Sequence, residues 1–342
     1  MIYPPATVAC FDPTHGHLPR RELDRERLQQ FLHKLVSAGA ESVLIAASTG
    51  HGHLRTVDEL REFFDVAAKV SPPTLQRMAL LRPEDGLELN LEFLQVLKRL
   101  EYAVVFLRPG SNLEPDCTED DIVEQLAPLV KHASALQLPV GLYSISDVSG
   151  VPLTARVAQR LVDGRGGDAI VAVKVTEASY DDSTLTFLEM AGLDHLRIVQ
   201  GWDPHLARAL QDGAKSGTQR SGTQRCGITS GPMSFAIYQY QHILDAATRQ
   251  DWAEVQLAQQ AVTEMFQSMQ DDPRYFADLQ RAKYIMGLGH PICGQVSAEQ
   301  VERVMQALRQ LTRRSDRDRL CRSLDLLGDG PCHANLQDML DS

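Results

Sequence analysis

Apolar positions along the chain follow two alternating patterns. Short runs rich in β-branched residues suit strands, and longer stretches with apolar residues every third or fourth position suit helices. Residues 7–11 read as the first strand, and Asp24, a good N-cap, opens a helix that runs to Ala38 and stops at Gly39. Residues 41–47 form the second strand. Thr56 then opens a helix to Val70, with Glu59 placed to complete a capping box. Strands over 78–81 and 102–107 enclose a helix over 87–100. A helix over 118–136 begins on Thr118 with acids in its first turn. The fifth strand covers 138–143, the sixth 169–176, the seventh 196–200 and the eighth 225–228. Between them lie helices over 154–162, 183–191 and 204–210.

Eight strand–helix alternations with no repeat in sequence predict an α/β fold, a (β/α)8 TIM barrel. Residues 1–233 are expected to form the barrel core. Four further helical patterns, over 235–247, 252–269, 273–286 and 298–311, predict C-terminal helices within 234–312 that pack on it. The stretch 313–342 is charged, then rich in small and polar residues, and is expected to be a partly mobile tail. One segment is a tandem copy: Ser216-Gly217-Thr218-Gln219-Arg220 recurs at once as Ser221-Gly222-Thr223-Gln224-Arg225. It suits either a phosphate or nucleic-acid contact or a duplicated flexible loop, and its disorder-promoting composition favours the loop.

Composition narrows the function classes. At 342 residues with 43% apolar residues, the chain can bury a sizeable core as one barrel. A net charge of −11 speaks against a nucleic-acid partner and makes local cations more useful to an anionic substrate. No apolar run approaches the length of a membrane span, and no targeting peptide is visible at the start. The cysteines, at positions 10, 117, 226, 293, 321 and 332, show no metal-ligand spacing, and reduced packing thiols in a cytoplasmic protein are expected.

Chemistry concentrates in the sixth strand. Ala169-Ile170-Val171-Ala172-Val173 is continuously apolar, and Lys174 breaks it. A lysine there either snorkels to solvent from a strand end, or is buried with a lowered pKa and a neutral amine able to attack a carbonyl. The other strand ends weigh on that choice. The second ends in Ala47-Ser48-Thr49-Gly50, the fifth in Tyr143-Ser144, the seventh in Gly201-Trp202-Asp203 and the eighth in Thr229-Ser230-Gly231. Hydroxyls, a phenol, an amine and a carboxylate thus meet at the C-terminal ends of barrel strands, where barrels carry their sites. Each has a structural alternative: Ser48, Thr49 and Asp203 as turn caps, Tyr143 as a core aromatic.

These residues resemble the pyruvate-dependent class I aldolases and lyases of the N-acetylneuraminate lyase and dihydrodipicolinate synthase type, over about residues 3–311. The opening strand with its Phe11-Asp12 turn and first helix fit that family. Ala47-Ser48-Thr49-Gly50 resembles its Gly-Ser/Thr-Thr-Gly loop. The segment from Leu142 to Gly150 resembles the one carrying its phenol, and Ile170 to Lys174 the strand carrying its Schiff-base lysine. The resemblance implies that Lys174 forms an imine with pyruvate or a related 2-oxo acid, while Tyr143 moves protons as general acid–base. It implies that Ser48 and Thr49 hold the pyruvate carboxylate, and that Thr176, Gly201, Asp203 and Ser230 contact the hydroxylated part of the substrate. An aldehyde is then the second partner. No metal or organic cofactor is needed, and a homo-oligomer, dimer or tetramer, is expected.

Departures from the pattern sort its branches. Val148 stands where dihydrodipicolinate synthases carry an arginine, which argues against that reaction and leaves an N-acetylneuraminate lyase-like or 4-hydroxy-2-oxoglutarate aldolase-like activity. His51 replaces the usual acid after Thr-Gly, and Phe106-Leu107-Arg108-Pro109 lacks the tyrosine that reaches across a subunit interface. His51 and His53 either replace part of the proton relay, bind an acidic substrate when protonated, or are ordinary loop histidines; no third ligand nearby in sequence supports a metal. Arg108 either binds the distal end of the substrate, sits exposed at a subunit contact, or pairs with Glu114 or Asp116. The competing reading of the whole chain is a non-catalytic barrel that binds or regulates.

Overall fold

The computed structural model describes residues 6–15, 22–70, 75–220, 224–270, 277–289 and 295–341. The first five residues, residues 221–223 of the second pentapeptide, the expected helix start at Pro273, and Cys293 lie outside the described residues.

Eight strands close into a barrel: β1 (Ala6–Ala9), β2 (Ser42–Ile45), β3 (Gln76–Leu80), β4 (Val104–Leu107), β5 (Val140–Ser144), β6 (Ile170–Val175), β7 (Arg197–Gln200) and β8 (Cys226–Ser230). Each lies beside its neighbours in sequence, and β8 returns to β1. The registered pairs from β2 to β8 are all parallel. Every residue of β2, β4, β5 and β8 is buried, as expected of parallel strands covered on both faces. That burial is why these strands read as continuous apolar runs rather than alternating ones.

The connecting helices are α1 (Arg25–Ser37), α2 (Val57–Ala68), α3 (Leu87–Arg99), α4 (Glu119–Ala135), α5 (Ala155–Asp163), α6 (Thr184–Glu189) and α7 (Leu206–Arg220). The caps are those expected. Asp24 accepts a hydrogen bond from the Arg27 amide at 2.9 Å, and Thr56 with Glu59, like Thr118 with Asp121, forms a reciprocal capping box. Among the described residues, six more helices follow the barrel strands: α8 (Ile237–Thr248), α9 (Trp252–Gln267), α10 (Ala277–Ile285), α11 (Ala298–Gln310), α12 (Arg314–Leu324) and α13 (His333–Asp341).

Two expectations need correction, and one element was not foreseen. The first pentapeptide copy is not a loop: α7 continues through it to Arg220. Nor is the stretch after Arg313 a loose tail. It forms α12 and α13, which bury Leu320, Cys321, Leu324, Leu336 and Met339. Several of its charges are paired. Arg319 and Arg313 flank the buried Asp316, and Gln239 donates to the same carboxylate at 2.9 Å. Finally, Thr14–His15 pairs antiparallel with Glu22–Leu23, a short ribbon too brief to leave a sequence pattern.

Contacts divide the chain into two compact units. One comprises the described parts of Met1–Thr7, Ser42–Ala46 and Gln76–Thr229; the other comprises Val8–Glu41, Ala47–Leu75 and Ser230–Ser342. Predicted site residues occur in both.

Candidate active site

In the first unit the sheet register builds the site. Tyr143 on β5 stands directly opposite Lys174 on β6, so both side chains leave the sheet on the same side. The Lys174 amine lies 2.9 Å from the Tyr143 hydroxyl and 4.0 Å from the centre of its ring. Only 4% of Lys174 is exposed. Burial pulls its pKa down to about 7, against the opposing pull of the Asp203 carboxylate. A sizeable fraction of the amine is therefore neutral near pH 7, and its burial decides against snorkelling to solvent. Burial pushes the Tyr143 phenol well above its ordinary pKa. Its hydrogen bond to Thr176 works the other way, the Glu177 charge adds to the rise, and Arg108 opposes it. At neutral pH the phenol therefore keeps its proton and is a donor.

Thr176 and Gly201 complete this group. The Tyr143 hydroxyl donates to Thr176 Oγ1 at 3.2 Å. Gly201 follows β7, and a Cβ there would lie 2.1 Å from Thr176 Oγ1 and 3.1 Å from Lys174 Cε. Any side chain at 201 would displace both. Asp203 opens a short 3-10 turn after Gly201 and is buried.

Glu177 is a site-wall residue that the sequence reading missed. Its carboxylate accepts from Ser144 Oγ at 2.6 Å, the Ser146 amide at 2.9 Å and Ser146 Oγ at 2.5 Å, while Ser144 Oγ accepts from the Leu153 amide at 3.0 Å. One carboxylate thus ties the segment after Tyr143 to the strand of Lys174. Arg108 is not exposed, and its acidic partner is not one of those expected. It is fully buried, donates to the Pro109 carbonyl at 2.8 Å, and forms an ion pair with Glu84 rather than Glu114 or Asp116. Glu84 belongs to the turn after β3, so the pair links the ends of two neighbouring strands.

The remaining predicted residues lie in the second unit. Ser48 and Thr49 are buried in a 3-10 turn, and the Thr49 carbonyl accepts from Gln280 at 3.2 Å. A Cβ on Gly231 would come within 2.7 Å of Thr49 Oγ1, so the residue after β8 packs closely on this turn. Ser230 shares a hydrogen bond of 3.2 Å with the Tyr240 hydroxyl. The turn is bounded by Ala46 at φ 61° and His51 at φ 54°. Left-handed backbone at a residue with a Cβ costs of order 1–3 kcal/mol, and such residues gather at functional turns. His51 is wholly buried, with Nδ1 3.7 Å from Asp12. Among the described residues no three His, Cys, Asp or Glu side chains gather as metal ligands.

No protein-family model and no curated protein sequence matches the chain. Solved structures do. A variant of 2-keto-3-deoxygluconate aldolase from Sulfolobus solfataricus matches with a TM-score of 0.71 at 16% identity, over 90% of this chain and 96% of its own. YagE, a prophage protein of the dihydrodipicolinic acid synthase family from E. coli K12 in complex with pyruvate, gives 0.73 at 17% identity, over 90% and 98%. Dihydrodipicolinate synthase from Aquifex aeolicus gives 0.73 at 15% identity, over 91% and 100%. The chain shares their fold. At these identities the likeness speaks for the barrel and its extra helices, and the chemistry rests on the side chains.

Proposed function

We propose that the protein is a carbon–carbon lyase or aldolase that cleaves or forms a 2-oxo acid through a Schiff base on Lys174, with pyruvate as product or substrate. The observation that carries this reading is the Lys174 amine, buried, shifted toward neutrality and 2.9 Å from the Tyr143 phenol. A desolvated lysine is costly to keep, and Lys174, unlike the buried Lys283 beside Asp12, meets a phenol rather than a carboxylate at hydrogen-bonding distance. The neutral amine attacks the ketone of the 2-oxo acid, and loss of water gives an iminium. The iminium accepts the electron pair of the C3–C4 bond, which breaks or forms through the enamine. Tyr143 supplies and recovers protons at the oxygen atoms.

The binding of pyruvate by the YagE structure supports the choice of 2-oxo acid. The family resemblance assigns the pyruvate carboxylate to Ser48 and Thr49, and their hydroxyls suit that role. Arg108, already neutralised by Glu84, is better suited to bracing the strand ends than to reading the far end of a substrate. An aldehyde partner, a homo-oligomeric assembly and a cytoplasmic setting go with this reading. Among the described residues no helix is long and apolar enough to cross a membrane.

Borohydride tests the proposal. The protein incubated with pyruvate and then reduced is expected to gain one pyruvate adduct by mass, and Lys174→Ala to gain none. No adduct on the wild-type chain would overturn the Schiff-base reading, and an adduct that survives the substitution would move the nucleophile elsewhere.

A further inference from the structure

We propose that the Thr176 hydroxyl is the positioning and proton-relay residue of this site, holding the Tyr143 phenol toward Lys174 and connecting it with solvent. The inference rests on the Schiff-base reading above and assigns Thr176 a task other than substrate contact. It begins with a proton balance. Attack of the neutral amine on a ketone forms the N–C bond, and the nitrogen loses one proton while the oxygen gains one. Both transfers pass through a single phenol, which ends as it began. Departure of the hydroxyl as water, which leaves the positively charged iminium, takes a second proton from the phenol. Amine, ketone and one proton therefore give iminium and water, and the missing proton must come from outside.

Tyr143 is too deeply placed to fetch that proton itself. It is 1% exposed, and among the described residues its hydroxyl meets two hydrogen-bonding groups: Lys174 Nζ at 2.9 Å and Thr176 Oγ1 at 3.2 Å. Both partners stand on the strand line of β6, two residues apart, so both project to the side that faces the phenol. The phenol accepts from the amine and donates to the threonine. Its proton is thereby directed and its lone pair left to nitrogen. Unlike Tyr143, Thr176 is only partly buried, and so stands where this chain of hydrogen bonds reaches the outside. The room for its hydroxyl is reserved, because a Cβ at Gly201 would occupy it.

The test compares Thr176→Val, which keeps the shape and removes the hydroxyl, with Thr176→Ser, which keeps the hydroxyl. The rate of imine formation with pyruvate is read by borohydride quench at successive times. Thr176→Val is expected to slow imine formation about 10- to 100-fold while reaching the same final adduct on Lys174, within the range of a lost general acid–base contribution. Thr176→Ser is expected to stay within about threefold of wild type. Added imidazole, a small diffusible acid, should accelerate the valine variant and leave the wild type unchanged; a purely structural defect would not respond. A wild-type rate in Thr176→Val, a serine variant as slow as the valine one, or no response to imidazole would overturn the relay while leaving the Schiff base intact. Failure of the wild-type protein to form any adduct would instead overturn the underlying reaction.

Discussion

At the scale of single residues the site is set by a conflict between burial and charge. Lys174 titrates near 7 in the folded protein and near 10.5 when unfolded. Below about pH 7 both states carry the proton, and the folded state bears the full cost of a desolvated ammonium. Between about 7 and 10.5 the unfolded chain holds more protons than the native one, so this group's contribution to stability rises with pH across that window. Lys174→Met is therefore expected to stabilise the fold by a few kcal/mol at pH 6, on the scale of ~1.4 kcal/mol per pKa unit, and by much less at pH 10. Urea denaturation at the two pH values checks this, and a gain that is equal at both would refute the buried-ammonium account. Lys174 was legible in sequence because it interrupts an apolar run. Glu177 was not: in Thr176-Glu177-Ala178-Ser179 it resembles any solvated loop acid. Its partners Ser144 and Ser146 lie more than thirty residues earlier in the chain, brought beside it by strand pairing.

Elements were legible where a pattern is local. Caps at Asp24, Thr56 and Thr118 mark helix starts because they involve residues within one turn. The end of α7 is hidden in sequence because the Ser, Gly and Thr of Ser-Gly-Thr-Gln-Arg have weak helix propensity, although the helix runs through it. Arg225 gives one reason why that region is ordered. From the residue before β8 it donates to the carbonyls of Leu188 at 3.0 Å, Leu193 at 3.0 Å and Leu196 at 3.5 Å, and to Ser216 Oγ at 3.0 Å. One guanidinium thus satisfies carbonyls at the end of α6 and in the turn after it while touching α7. Arg225→Met keeps the apolar stem but leaves these buried acceptors without their donor. At roughly 1 kcal/mol for each acceptor stranded, a loss of about 2–3 kcal/mol is expected, seen as a lower urea midpoint with unchanged slope. A midpoint within error of wild type would mean that water replaces the guanidinium.

For the molecule as a whole, eight-fold alternation revealed the barrel, and helical periodicity revealed α8–α11; nothing local revealed which distant charges meet. Asp12 shows this best. It follows β1, is wholly buried, and is contacted by Arg55 from before α2 and by Lys283 from α10, whose amine lies 3.3 Å from the carboxylate and 3.0 Å from Thr14 Oγ1. His51 approaches the same carboxylate. All of these side chains belong to one of the two units, and they join segments more than 200 residues apart in sequence. Asp12 and Lys283 are wholly buried and Arg55 nearly so, and that burial pulls the Arg55 pKa down to about 10. Removing the anion should therefore be worse than removing one cation. Asp12→Asn keeps the shape but leaves two buried cations facing an amide, and a cost of about 3–5 kcal/mol is expected, as for breaking a buried ion pair. Lys283→Met leaves Asp12 with Arg55 and should cost less. Denaturation of both variants decides the matter: if Asp12→Asn is the milder of the two, Arg55 and Lys283 draw their compensation from other groups, and the carboxylate is not what binds these segments together.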